Sequence, residues 1–435
     1  MLPEYSINKD IFTIPRFELK ASDVEGMTTE LEWYHGQFRD CFHRSEPAEH
    51  FSLYMDGRFS NLERKTIEPI AEHMEGGNVR PMQHFISDAV WNEQKMVRRH
   101  HELVRDGLGD RRGVVIFDEM GVVKKGHDSA GDDPLQGVAR QYCGSIGKVD
   151  SCQVGVFSGY ATPKGYALLD KRLFMPEQWF GPEYAEKRKK CRVPEGLEFK
   201  TKPQLAAEMF ENIIREGIIP FKFVTGDTVY GDNPDFIRAL DSAVGKVYFV
   251  AVTGDTRCVL KQPLVETKTY RYKGQKRTRK RVVKWNGKPV RVDKLAQHIS
   301  RAFWFRRTVS EGTKGPIVYE FTKREVILCQ GNLPNRTAWL VIKRTLGNNP
   351  EYSYCVSNAP HSTQLKTFVW LSGMRWPIEQ CFEEGNGEVG LDQYEVRKYP
   401  GWNHHMLVCM LAHFFLWHLR VTLGKKITSH HAAAA

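Results

Sequence analysis

The sequence has few of the features that would place the chain in a membrane or in a disulfide-rich fold. Its nine cysteines are scattered and include no C-x-x-C pair, which argues against a disulfide framework and a structural zinc site and fits a reducing cytosol. The first thirty residues carry acidic and basic groups throughout, so no secretory signal is expected. The most apolar run, Met406–Trp417, is much shorter than the roughly 20 residues of a membrane span. A buried helix is therefore predicted there, and no membrane partner.

Acidic residues are too few to balance the basic ones. The 435 residues include 63 Lys and Arg against 52 Asp and Glu, which gives a net charge of +11. This excess is concentrated in one segment, where only Asp293 opposes twelve basic residues: Lys268, Arg271, Lys273, Lys276, Arg277, Arg279, Lys280, Arg281, Lys284, Lys288, Arg291 and Lys294. A basic stretch of this kind can be a solvated face or a loop, but in this chain it favours contact with the DNA backbone.

No internal repeat is visible, and the length predicts two or three folding units. Residues 1–109 have helical periodicity and are expected to form an N-terminal helical domain, either a DNA-binding unit or a structural bundle. Residues 110–253 and 359–425 are expected to form one catalytic core. Residues 254–358, with short β-like runs, are expected to be a basic β-rich insertion domain, and residues 426–435 a tail.

The 110–253 segment predicts an α/β fold. Three predicted strands, two of them separated by a Thr162-Pro163-Lys164-Gly165 turn, are followed by a helix, a strand, a second helix and a fifth strand. Tight turns between the first strands and helices between the later ones predict a mixed sheet covered by helices. By analogy, this is the succession of an RNase H-like mixed-sheet catalytic core.

Two aspartates follow apolar strand-like runs in this segment. Asp118 follows "VVIF" and Asp227 follows "FKFVTG", so both are predicted at the carboxyl ends of strands, where ligands of open α/β sheets bind. Carboxylates there suit two Mg²⁺ or Mn²⁺ ions that act on a phosphodiester. Glu119 is the rival of Asp118 but is expected to face the other way, because side chains alternate along a strand. Asp232, the rival of Asp227, is predicted to lie in a turn.

A third acid lies in "RWPIEQCFEEGNGEVGLDQYEVR". Pro377 predicts the first turn of a helix or a kink in one, and Gly385 and Gly387 predict its end. Glu379 would then lie early in the helix and face the sheet if Ile378 and Phe382 pack beside it. The alternative is a solvated acidic helix face that also holds Glu383 and Glu384. Arg375 is placed to bind a phosphate or to orient Glu379.

Four segments together resemble the bacterial insertion-sequence DDE transposases. "FDEMGVVKKG", "GVARQYCGSIGKVDSCQVGVFSGYA", "VTGDTVYGDNPDF" and "RWPIEQCFEEGNGEVGLDQYEVR" are similar to the IS-four-like superfamily, in its IS-seven-zero-one branch. The resemblance runs from about residue 50 to 420. It implies Asp118, Asp227 and Glu379 as catalytic, metal-binding residues, Arg375 as the motif arginine, and a β-rich insertion before the helix that bears the glutamate.

The resemblance also implies the reaction and the partners. A transposase of this type cuts double-stranded DNA at the terminal inverted repeats with two Mg²⁺ or Mn²⁺ ions and joins the 3′-OH to target DNA, as a homodimer in the DNA complex. The bacterial cytoplasm and nucleoid are its expected location. Two positions depart from the superfamily signature, since Ser372 and Asn386 stand where Tyr and Lys grip DNA phosphates. The loop at residues 131–136 has no explanation in the family pattern.

Further DNA contacts are predicted for basic residues near the acids and in the insertion: Lys124, Lys125, Lys276, Arg277, Arg279, Lys280, Arg281 and Lys284. Two other functions are compatible with parts of the sequence. A non-catalytic, sequence-specific DNA-binding protein descended from a transposase would agree with Asn386. A glycosidase would use paired carboxylates but gives no reason for the basic insertion.

Overall fold

A computed structural model describes residues 21–124, 137–285, 287–312, 315–331 and 333–432. The chain forms two compact units. The flanking unit contains the described residues 21–222 and 376–432, and the central unit contains residues 223–375. Lys125 and the 131–136 loop lie outside the described residues.

The flanking unit begins with helices and continues with strands. Its first elements are the helices α1 Ala21–Gly36, α2 Ser45–Phe59, α3 Ile67–His73, α4 Val79–Ser87 and α5 Glu93–Leu108, the strands β1 Val114–Val123, β2 Ala139–Cys143, β3 Lys148–Thr162 and β4 Gly165–Phe174, and the helices α6 Ala185–Lys190 and α7 Lys202–Glu216. The chain returns to this unit with α12 Trp376–Val389 and α13 Tyr399–Ala432.

The central unit is rich in β-strands. In chain order it contains β5 Phe223–Gly226, α8 Thr228–Gly231, α9 Pro234–Ser242, β6 Val247–Val252, β7 Arg257–Val259, β8 Leu264–Tyr272, β9 Gln275–Lys284, β10 Val290–Arg291, α10 Val292–Gln297, β11 Phe305–Gly312, β12 Gly315–Gln330, β13 Leu333–Arg344, β14 Tyr352–Ser357 and α11 Leu365–Gly373.

The strands of the flanking unit pair antiparallel around β3. β1 runs along β3 with Asp118 opposite Phe157, β4 pairs with β3 as well, and β2 pairs with the beginning of β3. The predicted hairpin is confirmed, since Thr162 is paired with Gly165 across Pro163 and Lys164. Gly165 has φ +152°, and a Cβ there would lie 2.8 Å from Cε3 of Trp417, so the close approach of α13 requires glycine.

Helix α13 is the predicted buried helix. Among the described residues, Tyr399–Thr422 is long and apolar enough to span a membrane by length and composition, but 67% of its most apolar window is buried within the protein. It packs against β4 and the helices α2, α4, α5 and α12. The three histidines predicted to be structural form hydrogen bonds within the flanking unit: His404 with Ile86 O, His405 with Tyr54 Oη, and His413 with Glu384.

The strands of the central unit combine parallel and antiparallel pairing. β5 and β6 are parallel, with Phe223 opposite Val247, and β6, β14, β13 and β12 follow one another antiparallel. β7 and β11 also pair with β12, and β10 pairs with β7. The predicted mixed α/β class is therefore confirmed.

Strands β8 and β9 form a two-stranded sheet of their own. Lys273 and Gly274, at φ +50° and +78°, form the two-residue turn between them. Positive φ at both positions matches the right-handed twist of a tight hairpin. We call residues 264–284 the β8–β9 arm.

Two predicted boundaries are wrong. Asp118 does not end its strand, because β1 continues to Val123 and pairs with β3 along its whole length. Gly385 does not end the helix predicted to begin at Pro377, because α12 continues to Val389. Gly390, at φ +64°, follows it. A Cβ at Gly385 would lie 3.0 Å from Leu391, so this glycine permits close packing rather than termination.

Candidate active site

Asp118 lies in the middle of β1, on the face of the sheet that α12 covers. Its strand partner Phe157 contacts Phe382 of α12, with ring centroids 5.3 Å apart. Two residues earlier, Ile116 is paired with Gly159, where an added Cβ would be 3.2 Å from Cδ1 of Ile378. Because opposite residues of an antiparallel pair share a face, Asp118 lies on the side of α12.

Glu119 belongs to the other face of β1. Its neighbour Phe117 contacts Phe210 of α7, and Glu119 itself accepts a hydrogen bond from Lys202 Nζ at 2.9 Å, at the start of α7. The predicted alternation of the two acids is therefore confirmed. A carboxylate oxygen of Glu119 nevertheless lies within 4.8 Å of one of Asp118, so both acids belong to the same acidic cluster.

Glu379 lies in the first turn of α12, as predicted from Pro377. Ile378 and Phe382 pack on β3, and Ile378 is fully buried. Glu379 is exposed beside them. Glu383 is also exposed and accepts a hydrogen bond from Gln380, whereas Glu384 is half-buried and bonded to Tyr166 and His413. The acids of α12 therefore differ in exposure and partners, and Glu384 connects α12 to α13 through its hydrogen bond with His413.

In the central unit, Asp227 directly follows β5, as predicted. It is the N-cap of α8, and its Oδ1 accepts a hydrogen bond from Val229 N at 2.9 Å. Its rival Asp232 accepts from Thr253 N at 3.0 Å and so holds the end of β6. Both aspartates therefore cap or hold local backbone, but Asp227 also lines a cavity of the central unit.

A cavity of about 380 Å³ in the central unit brings Asp227 together with two cations. Arg375 and Lys343 line it, as do Ser372 and Tyr354. Burial lowers the pKa of Lys343, and the nearby Arg375 lowers it further, although Cys355 acts in the other direction. Two cations close enough to affect one another favour an anion between them. Arg375 was predicted from the sequence, whereas Lys343 was missed because a single lysine in a β-strand has no motif.

The other predicted DNA contacts differ in exposure. Lys276, Arg277, Arg279, Lys280, Arg281 and Lys284 are all exposed on the β8–β9 arm. Lys124 instead donates to the carbonyl of Tyr394 at 2.9 Å and lies 3.4 Å from the centre of its ring. Burial lowers the pKa of Lys124 to about 8, although Asp392 and Glu395 oppose the shift. Its contact with phosphate stays a prediction.

The two positions that depart from the family signature are both partly buried. Ser372 donates to the carbonyl of Val369 within α11, at 2.7 Å. Asn386 places its Oδ1 in the interior of the flanking unit, with no hydrogen-bond partner among the described residues. Ser372 lines the same cavity as Arg375, but its side chain is much shorter than the tyrosine of the signature, and Asn386 keeps its oxygen buried.

The acids and the mixed fold define a candidate endonuclease centre, and comparison with known proteins agrees. The family model described as "DDE superfamily endonuclease" matches residues 37–316, and the chain belongs to this family. The predicted resemblance to insertion-sequence DDE transposases is confirmed.

Two known proteins are similar over most of the chain. The probable transposase for insertion sequence element IS701 of Microchaete diplosiphon is 24% identical over 386 residues, which cover 87% of this chain and 84% of that protein. The solved synaptic complex of piggyBac transposase with hairpin DNA covers 95% of this chain and 69% of that one, at 8% identity and a TM-score of 0.36.

Proposed function

We propose that the chain is the transposase of an insertion sequence, which cuts double-stranded DNA at the terminal inverted repeats and joins the freed 3′-OH to target DNA. The observation that carries the proposal is the position of Asp118. It lies on the sheet face covered by the helix that bears Glu379, in a chain that belongs to the DDE endonucleases. The partners are transposon ends and target DNA, with a homodimer in the complex, in the bacterial cytoplasm and nucleoid.

The proposed core is RNase H-like, with the β-rich segment 254–358 as its insertion. The antiparallel strands β1, β3 and β4 within the flanking unit, and the parallel pair β5 and β6 within the central unit, are the local pairings that such a core requires. The insertion then explains why so long a chain separates Asp227 from Glu379.

Asp118, Asp227 and Glu379 would hold two Mg²⁺ or Mn²⁺ ions. Ligand oxygens about 2.1 Å from one ion are about 3 to 4 Å apart. Carboxylate oxygens of Asp118 and Glu119 lie within 4.8 Å of each other, whereas Glu379 does not belong to this acidic cluster. The donor set therefore fits hard divalent cations. When bound, such ions activate the attacking oxygen and stabilise the leaving oxygen of a phosphodiester.

The cations of the cavity act on the DNA itself. Arg375, with its planar fork of donors, would bind two oxygens of the scissile phosphate, and Lys343 would contribute a second positive charge to the same cavity. On the other face of β1, Lys202 forms an ion pair with Glu119, so we assign the metal-ligand role on this strand to Asp118.

The test is cleavage of a labelled duplex that carries the element's own terminal repeat, with Mg²⁺ or Mn²⁺ and with EDTA. Asp118→Asn, Asp227→Asn and Glu379→Gln should each abolish metal-dependent cutting and leave DNA binding intact. Glu119→Gln and Glu383→Gln are the matched controls from the same strand and the same helix, and both should still cut.

Two results would contradict the proposal. If Glu119→Gln abolished cutting while Asp118→Asn retained it, the catalytic assignment on β1 would be wrong. If the wild type bound the terminal repeat tightly but never cut it, the non-catalytic DNA-binding protein would be the better description, with Ser372 and Asn386 as the first positions to restore to Tyr and Lys.

A further inference from the structure

The β8–β9 arm has no apolar face to bury. All but two of the residues in its strands are exposed, namely Val265 and Val282, which lie opposite one another. A two-stranded hairpin is marginal by itself in water. Exposed edges normally invite pairing with another strand, but a row of like charges opposes the pairing of two copies. The arm therefore needs a partner of opposite charge.

The pairing register sorts the basic residues into two chemically different faces. Because opposite residues share a face and side chains alternate, one face carries Lys268, Tyr270, Tyr272, Gln275, Arg277, Arg279 and Arg281. It also carries one acid, Glu266, which lies 3.9 Å from Arg281. We call this the arginine face. The other carries Thr267, Thr269, Thr278, Arg271, Lys276 and Lys280, which we call the threonine face. Arg277 lies over the ring of Tyr272 at 5.1 Å, as expected for neighbours on one face.

Because both faces of the arm are positively charged, binding within a groove of the DNA is favoured over binding across the outside of the duplex. A ribbon laid across the outside of a duplex meets phosphates on one side only, so its outer face gains nothing from cations. A ribbon within a groove has phosphate strands along both edges, and long side chains of its outer face can reach them. The major groove, about 12 Å wide, admits a two-stranded β-ribbon.

The arginine face has the chemistry that reads base edges. Arginine binds guanine O6 and N7 with two hydrogen bonds. Arg277, Arg279 and Arg281 follow one another at every second residue of β9, a spacing of about 6.8 Å along a strand. Two base-pair steps of a duplex rise by about the same distance. On the other face, Arg271, Lys276 and Lys280 are long enough to reach the phosphates along the groove edges, and the short threonines between them leave these side chains room.

We propose that the β8–β9 arm inserts into the major groove of the transposon-end DNA, with the arginine face toward the bases and the threonine face outward. This deepens the proposed function and rests on it, because it names which surface recognises the DNA and how. Lys273, at the tip of the arm, then extends the contact beyond the last base pair that the strands reach.

The test compares two variants that remove three positive charges each. Arg277→Gln/Arg279→Gln/Arg281→Gln alters the arginine face, and Arg271→Gln/Lys276→Gln/Lys280→Gln alters the threonine face. Binding to a duplex with the terminal repeat and to an unrelated duplex is measured by fluorescence anisotropy in EDTA, so that no cutting occurs. The melting temperature of each variant checks its fold.

We expect the arginine-face variant to lose about tenfold or more in the ratio of specific to non-specific affinity. The threonine-face variant should weaken binding to both duplexes together and keep the ratio. Replacing guanine by 7-deazaguanine removes the N7 acceptor from the major groove and should weaken wild-type binding but not that of the arginine-face variant. Replacing guanine by inosine, which changes only the minor groove, should have little effect.

Equal losses for the two variants with an unchanged ratio, together with no effect of 7-deazaguanine, would overturn the proposal and leave contact with the phosphate backbone only. Unchanged binding by both variants would overturn it as well. Failure of the proposed function looks different: the wild type would then not cut in Mg²⁺, whereas the two faces would still differ in the binding experiment.

Discussion

The contact between Gly159 of β3 and Ile378 of α12 sets how closely the helix that carries Glu379 packs on the sheet that carries Asp118. An added Cβ at Gly159 would lie 3.2 Å from both Cδ1 and Cγ1 of Ile378, which is fully buried beside Glu379. Gly159→Ala should therefore move α12 away from the sheet by a few tenths of an ångström. Overpacking of this kind costs about 1–3 kcal/mol, and the better strand propensity of alanine offsets about 0.5–1 kcal/mol of that.

Ile378→Val removes Cδ1 and so relieves one of the two close contacts. By itself it should cost about 0.5–1.5 kcal/mol. The double variant should be about 1 kcal/mol more stable than the sum of the single changes, because the new methyl group occupies the space that Cδ1 left. The free energy of unfolding is obtained from urea titrations of the wild type and the three variants.

The rate at which each variant cuts the terminal repeat should depend on the position of α12 and not on the free energy of unfolding of that variant. A displacement of about 1 Å in a catalytic group can cost about 100-fold in rate, so a smaller shift of Glu379 in Gly159→Ala predicts a loss of up to about tenfold. The double variant should regain most of it. Gly387→Ala is the control in the same helix, since nothing lies within 4 Å of its added Cβ.

Additive free energies within about 0.5 kcal/mol would refute the reasoning about this contact. A cutting rate of the double variant no higher than that of Gly159→Ala would refute the connection between the position of α12 and catalysis.

Two further predictions concern the stability of the flanking unit. The pKa of Lys124 is lowered from 10.5 to about 8, so the folded protein holds fewer protons than the unfolded chain between these values, and stability rises with pH there. Between pH 7.5 and 9.5 the wild type should gain roughly 2 kcal/mol relative to Lys124→Met in urea unfolding, and parallel pH curves would contradict this. Gly165→Ala should lower the melting temperature far more than Gly147→Ala: both glycines have positive φ, but only the new Cβ at Gly165 meets Trp417. Equal losses would mean that backbone strain alone decides.

The sequence predicted best the elements whose ends are marked by local chemistry. Helix α7 begins with a capping box, in which Thr201 and Gln204 satisfy one another's backbone groups. Asn233 caps α9 by accepting hydrogen bonds from the backbone N–H groups of Asp235 and Phe236. Asp227 marks the end of β5 in a similar way, because its side chain caps the helix that begins at the next residue. At such positions, one residue type decides the local conformation.

Predictions failed where distant packing decides. Strand β1 continues past two acids because β3 supplies a partner for each of its residues, and no pattern within the sequence of β1 shows this. Helix α12 continues through Gly385 because Leu391 fills the space beside it. Lys343 joins Asp227 and Arg375 through strand pairing alone, since its own neighbours in sequence are ordinary strand residues.

In the β8–β9 arm, one feature was predictable from the sequence and another depends on strand pairing. Its charges were evident in the sequence and predicted a polyanionic partner, but charge alone has no direction. The turn at Lys273 and Gly274 sets the register, and a slip of one residue on β9 would move its three arginines to the other face. The difference between a basic stretch that attracts DNA and a ribbon that can read it therefore lies in a single turn. For that reason a change in the turn, which leaves every charge in place, should alter specificity more than affinity.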